Sequence, residues 1–90
     1  MTRAGMIWTI GVSNRTQRNL ERVPAADRER IMAAIDAMHS NPLSGDVVKL
    51  KGQDAFRRRV GNYRTIFRLD FKAFAIGIVD IERRTTTTYR

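Results

Sequence analysis

The chain has 90 residues, 42% of them hydrophobic, and its 17 Lys and Arg against 9 Asp and Glu give a formal net charge of +8. This length suits a single domain, residues 1–90, and the apolar share argues against intrinsic disorder. The lack of cysteine excludes disulfides and thiolate metal sites. No apolar run reaches the roughly 18 residues of a membrane span, and the N-terminus does not look like a signal peptide, so we expect a cytoplasmic protein without a membrane partner.

The first part of the chain predicts one strand and one short helix. The β-branched and aromatic run 6–12 is typical of a strand. Ser13 or Asn14 can then cap a helix that continues to about Val23, and Pro24 separates this helix from the next element.

A second helix is predicted from Ala25 to about His39. Its apolar residues recur at i, i+3, i+4 and i+7, which makes one stripe directed at a core: Ile31, Ala34, Ile35 and Met38. Asn41-Pro42 ends this helix, and a loop continues through Asp46.

Residues 56–70 alternate apolar and cationic side chains on both sides of Gly61-Asn62. This pattern predicts an antiparallel hairpin with a Gly-first two-residue turn, in which Arg59 faces Arg64. Like charges directly opposite each other destabilise a sheet. Folding alone therefore gives no reason for this pair, whereas an anionic partner does.

The two faces of the predicted hairpin differ in character, because successive side chains of a strand point to opposite sides. One face is apolar: Phe56, Val60, Tyr63, Phe67 and Leu69. The other, which we call the arginine face, consists of Arg57, Arg59, Arg64 and Arg68. Arg58 falls on the apolar face, where we expect its aliphatic stem to be buried.

The remaining segments complete a small α+β domain. Residues 47–52 lead into the hairpin, and the apolar run 74–81 reads as a central strand buried on both faces. The element order is β-α-α-β-β-β, and we expect a mainly antiparallel sheet with the two N-terminal helices packed on one face. The charge is concentrated in this half, since residues 46–90 hold 11 basic and 5 acidic residues, and such a field favours anionic partners.

Four motifs together resemble the RelE/ParE superfamily of type II toxin–antitoxin toxins. They are Lys49-Leu50-Lys51-Gly52, the stretch 59–67 (RVGNYRTIF), Glu82-Arg83-Arg84 and the terminal Tyr89-Arg90. The chain is most similar to the RelE branch, and the resemblance implies a ribosome-dependent endonuclease that cuts mRNA by attack of the 2′-hydroxyl. It also implies a cognate antitoxin that wraps the toxin in a hetero-oligomer. No cofactor or metal is expected.

The resemblance also implies roles for individual residues. Those with a catalytic role would be Arg64, Arg83, Tyr89 and Arg59. Those that bind RNA would be Arg57, Arg68, Arg84, Lys49 and Lys51. Arg64 matches the family's phosphate-binding arginine, and Tyr89 matches the tyrosine that stacks on a base. Arg83 lies six residues before Tyr89, as the catalytic arginine does in the family, although Arg84 takes that role if the threonine run contains an insertion.

The general base is not identified by the sequence. Arg57 and Arg59 stand where RelE enzymes commonly carry lysines, and a guanidinium does not accept a proton. Glu82 is the nearest carboxylate in the sequence and is the reserve candidate, although an ion pair with a neighbouring arginine is the favoured explanation of it. Two alternatives therefore stay open, a ParE-like non-enzymatic inhibitor of DNA gyrase and a degenerate toxin that only binds its antitoxin.

Overall fold

The fold is described by a computed structural model for residues 7–52 and 54–83. Its elements in chain order are β1 (Thr9–Val12), α1 (Asn14–Glu21), α2 (Ala25–Ala37), β2 (Val47–Lys49), β3 (Phe56–Val60), β4 (Tyr63–Asp70) and β5 (Ala75–Arg83). The α+β class and the predicted order are confirmed. The structure adds β2, a three-residue strand that forms at the beginning of the segment leading into the hairpin.

All five strands form one sheet in the order β1-β5-β4-β3-β2. Among the described strands only the β1–β5 pairing is parallel, so the sheet is mainly antiparallel, as predicted. Because β1 and β2 form opposite edges of the sheet, the chain has to cross the sheet between them, and α1 and α2 make this crossing on one face.

The core lies between the helices and that face of the sheet. The predicted stripe of α2 is buried: Ile31, Ala34, Ile35 and Met38. It packs with Leu20 and Val23 against sheet residues that include Phe67, Ile76 and Ile78. Full burial of one such side chain is worth about 1.5–3 kcal/mol, and this packing is what holds the short helices in place. No helix in the described ranges has both the length and the apolar character needed to cross a membrane.

The prediction that residues 74–81 are buried on both faces is wrong. Ile76 and Ile78 are almost fully buried, but Val79 is 36% exposed and Phe74, which precedes β5, is 47% exposed. The strand does run between two neighbours, β1 and β4. Its apolar sequence nevertheless meets helices on one face only, because both helices lie on the same side of the sheet.

A β-bulge in β5 changes the direction of the side chains that follow it. Phe67 pairs with Ile78, but the preceding Ile66 pairs with Asp80, so Val79 is an extra residue in β5. Such a residue reverses the alternation beyond it. Consequently Ile81 returns to the core side, where it is 6% exposed.

Arg28 fixes the turn between the two helices. Its Nε donates to the carbonyl of Leu20 at 3.0 Å, and its Nη2 donates to the carbonyl of Val23 at 2.9 Å. The Leu20 carbonyl belongs to the last turn of α1, where it also accepts from the backbone N–H of Val23 at 3.1 Å, and the Val23 carbonyl lies two residues beyond the helix. The side chain of Arg28 therefore caps α1 and sets the position of the α1–α2 turn.

Candidate functional site

The β3–β4 hairpin has the register that the sequence predicts. Arg59 pairs with Arg64, and Arg58 pairs with Thr65. Gly61 has φ +57°, the left-handed conformation that a Gly-first hairpin turn requires. The turn thus fixes which side chains of the hairpin share a face.

The arginine face lies on the side of the sheet that the helices leave uncovered. Phe56 and Phe67 stack on the opposite side with their ring centroids 5.6 Å apart. Within residues 7–52 and 54–83, Arg57 and Arg68 form no ion pair. The structure therefore brings four guanidinium groups to one open face and leaves two of them available to a ligand.

Two carboxylates flank the central arginine pair and form what we call the charge row: Asp46, Arg59, Arg64 and Glu82. Asp46 Oδ2 lies 3.7 Å from Arg59 Nε, and Glu82 Oε1 lies 3.8 Å from Arg64 Nη2. Glu82 is also the cross-strand partner of Arg64. The sequence-based view that folding offers no support for the Arg59–Arg64 pair needs correction, because these two carboxylates offset the repulsion.

Within the charge row, Arg64 has a side-chain nitrogen whose hydrogen-bonding capacity is not met. Its Nε is buried and has no hydrogen-bond partner among the described residues, while the side chain as a whole is 38% exposed. A buried donor without a partner is costly, at about 1–3 kcal/mol. Because the planar guanidinium presents several donors and the side chain is 38% exposed, its exposed donors can hold the oxygens of a phosphate on this face.

Sequence reasoning missed Asp46, which reaches the charge row through a loop held by Arg58. Arg58 Nη1 donates to the carbonyl of Ser44 at 2.9 Å, and its guanidinium lies so close to Gly45 that a Cβ there would be 2.7 Å away. The backbone N–H of Arg59 in turn donates to the Asp46 carbonyl at 3.0 Å. The sequence signal for this loop was Arg58, a cationic residue on the apolar face of the hairpin that the strand pattern does not explain.

Arg83 does not join the arginine face. Its cross-strand partner is Tyr63, which is 8% exposed in the core, so Arg83 points to the helix side of the sheet. There it lines a cleft of about 400 Å³ together with Arg22, Val23, Pro24 and Ile81. The bulge at Val79 is the cause, because it places Glu82 rather than Ile81 opposite Arg64 and so turns Arg83 to the helix side.

The other predicted site residues are spread over different places. Lys49 pairs with Phe56 and is therefore on the helix side of the edge strand β2, and Lys51 is exposed in the turn that follows. Arg84 and Tyr89 lie outside the described residues. In the described part of the chain, no group of three or more His, Asp and Glu side chains is arranged to hold a metal ion.

The chain is similar to several solved structures. It matches a chain of the archaeal RelE–RelB complex from Pyrococcus horikoshii OT3 with 26% identity and a TM-score of 0.83, over 91% of this chain and all of the other. It matches the RelB–RelE complex from Methanococcus jannaschii with 26% identity and a TM-score of 0.68, over 80% and 87% of the two chains. The intact E. coli RelBE complex matches at 12% identity and a TM-score of 0.73, over 87% and 98%, a likeness of fold alone.

No protein-family model and no curated protein matches the sequence. The structural matches are nevertheless consistent with one another, extend over nearly the whole described chain and reproduce its two helices and mixed sheet. The chain therefore has the RelE-like toxin fold, as the sequence motifs predict.

Proposed function

We propose that this chain is the toxin of a type II toxin–antitoxin system and that it cuts mRNA on the ribosome. The fold and the arginine face support this proposal, and several of the similar structures are complexes of RelE with RelB. The cytoplasm is the compartment in which such a protein meets translating ribosomes.

The observation that carries the proposal is the position of Arg64. It lies at the centre of the arginine face, opposite Arg59, and 38% of its side chain is exposed. In cleavage through the 2′-hydroxyl, negative charge builds up on the non-bridging oxygens of the scissile phosphate. A fixed guanidinium stabilises that charge, and a single donor of this kind typically changes the rate by about 10²–10³-fold.

The charge row also provides a group that can accept the proton of the 2′-hydroxyl. Guanidinium groups stay protonated in proteins, so Arg57 and Arg59 bind phosphate but do not act as the base. Glu82 is a carboxylate 3.8 Å from Arg64, the arginine that we assign to the scissile phosphate. We assign the general base to Glu82 and a supporting phosphate contact to Arg59. By the resemblance, Tyr89 stacks on a base and relays a proton.

The partners follow from the same proposal. A cognate antitoxin would cover the arginine face and silence the toxin in a hetero-oligomer, and an acidic or amphipathic segment is the complement that four arginines require. Ribosome and mRNA would take its place on the free toxin. Binding of either partner should weaken with rising salt, because exposed charges are screened.

Induced expression followed by mapping of the 5′ ends of cellular transcripts tests the function. We expect translation to stop and cuts to appear at fixed positions within codons, and we expect Arg64→Ala to abolish both. Arg18→Ala is the matched control, because Arg18 is an exposed arginine of α1 away from the arginine face. Replication arrest with intact messages would overturn the nuclease reading in favour of gyrase inhibition, and growth without arrest would indicate a degenerate toxin.

A further inference from the structure

The cleft on the helix side of the sheet contains two guanidinium groups that the proposed cleavage does not use. Arg22, at the end of α1, and Arg83, at the end of β5, both line it. Neither forms an ion pair within residues 7–52 and 54–83. Two like charges held at one small cleft without a carboxylate leave an unbalanced positive potential there.

The floor and the surroundings of this cleft also suit an anionic ligand. Val23, Tyr63 and Ile81 are buried at its floor, each less than 9% exposed. Pro24, which also lines the cleft, is the N-cap residue of α2 and supplies no side-chain cap. The positive end of the 13-residue helix α2 also lies at the cleft, but Asp27 in its first turn offsets part of this field, so the two arginines carry most of the positive potential.

The cleft is close to the charge row although the two lie on opposite sides of the sheet. Arg83 follows Glu82 directly, so their Cα atoms are about 3.8 Å apart. Arg64 likewise follows Tyr63, the cross-strand partner of Arg83. The Gly61-Asn62 turn lies at this end of the sheet, next to Tyr63 and Arg64, and a flexible polyanion can bend around it.

We propose that the cleft binds a phosphodiester group of the same RNA strand whose scissile phosphate lies on Arg64. The inference rests on the proposed function. An RNA strand carries one negative charge per nucleotide, so a strand that passes around the Gly61-Asn62 turn presents a phosphate to each side. Arg22 and Arg83 bind the phosphate on the helix side, and the apolar floor accommodates the adjoining sugar or base.

This assignment gives Arg83 a role that differs from the one implied by the sequence. It binds substrate at a distance from the reacting atoms instead of stabilising the scissile phosphate. It also explains why Arg28 fixes the α1–α2 turn so firmly, since that turn carries Arg22. A second contact on the opposite side of the sheet would orient the strand across Arg64 and so contribute to positioning.

The test uses a single-stranded RNA that is 2′-O-methylated throughout, so that it lacks the nucleophile and is not cut. Its affinity for the full-length protein, freed from its antitoxin, is measured over a range of salt concentrations for Arg22→Gln, Arg83→Gln and Arg18→Gln. All three variants lose one positive charge, and Arg18 is an exposed residue of α1 that does not line the cleft. Each phosphate contact on a single strand contributes about 0.7 to the slope of log affinity against log salt.

We expect Arg22→Gln and Arg83→Gln each to lower that slope by about 0.7, and Arg18→Gln to leave it unchanged. Cleft variants that behave like Arg18→Gln would overturn the proposal. So would variants that weaken only antitoxin binding, because the cleft would then be a protein-binding site.

Arg64→Gln separates this outcome from failure of the proposed function. If Arg64→Gln lowers the affinity for RNA and the cleft variants do not, RNA binding by the arginine face is supported and RNA binding by the cleft is rejected. If Arg64→Gln also behaves like Arg18→Gln, the RNA-binding function itself is rejected. Thermal unfolding of each variant, expected to match that of the wild type, excludes loss of folding as the cause.

Discussion

Arg59 and Arg64 lie directly opposite each other across the β3–β4 hairpin, and each has a carboxylate on its outer side. Two unit charges about 4 Å apart interact by about 1 kcal/mol in water-like surroundings, so the repulsion within the pair and the attraction to Asp46 and Glu82 are of similar size. Both ion pairs are long and partly exposed. A phosphate that binds the two arginines therefore competes with weakly held internal anions.

Replacing Asp46 with asparagine should strengthen RNA binding. The change removes the internal anion beside Arg59, and an exposed ion pair is worth about 0–1 kcal/mol, so the gain in affinity is up to about fivefold. It should be measured with an uncleavable RNA at fixed salt. Glu29→Gln is the matched control, because it raises the net charge equally from an exposed position on α2. An equal gain in both variants would show that only the overall charge matters.

Replacing Glu82 with glutamine should separate binding from catalysis. Loss of the anion beside Arg64 tightens binding as in Asp46→Asn, whereas loss of the general base slows cleavage by about 10²–10⁴-fold. Binding and single-turnover cleavage on programmed ribosomes measure the two effects. Cleavage at the wild-type rate would exclude Glu82 as the base and leave it as an ion-pair partner of Arg64.

Replacing Gly45 with alanine should destabilise the fold more than the same change at Gly52. Both glycines have positive φ, +86° and +73°, which costs an alanine about 1–2 kcal/mol. Among residues 7–52 and 54–83, the new Cβ at Gly45 also meets a guanidinium, that of Arg58 at 2.7 Å, whereas none of them comes within 4 Å of the new Cβ at Gly52. Denaturant unfolding of both variants gives the difference.

The difference in destabilisation between Gly45→Ala and Gly52→Ala should disappear when Arg58 is also replaced by alanine, because the new Cβ at position 45 then has no guanidinium to clash with. A double-mutant cycle over Gly45 and Arg58 measures this coupling. Equal destabilisation by Gly45→Ala and Gly52→Ala in the Arg58→Ala background would confirm that Arg58 holds the loop. An unchanged difference would show that another contact does.

Two buried threonines should respond in opposite directions to replacement by valine. The hydroxyl of Thr65 is buried and has no partner in the part of the chain that the structure describes, so Thr65→Val should be neutral or stabilise by up to about 1 kcal/mol. The hydroxyl of Thr16 meets Ser13 Oγ at 2.8 Å and the Ile78 carbonyl at 3.4 Å. Thr16→Val should therefore destabilise by about 1–3 kcal/mol, and thermal unfolding of the pair tests both signs.

The sequence predicts those parts of the fold that short-range patterns determine. The Gly61-Asn62 turn sets the hairpin register, and with it the arginine face, because a two-residue loop leaves one way to pair the strands. The i, i+3, i+4 pattern likewise identified the buried stripe of α2. Each of these inferences depends on residues that are close together in the chain.

The features that the sequence did not predict depend on contacts between distant segments. Asp46 approaches Arg59 only because Arg58 packs on Gly45 and holds the loop in place. The position of Arg83 depends on an extra residue at Val79, which no turn signal marks. Residues 74–79 include no polar side chain, so the sequence shows no apolar–polar alternation in which an extra residue could be recognised.

The bulge at Val79 means that the charge on each face of this sheet depends on strand register as well as on residue type. If Val79 paired with Ile66 in a regular ladder, Glu82 would turn to the helix side of the sheet. Ile81 would then lie opposite Arg64, and Arg83 would turn to the arginine face. Whether one uncharged residue is paired or bulged is thus enough to exchange an anion for a cation on each face. Comparisons between relatives that match residues by type alone will misplace these two side chains.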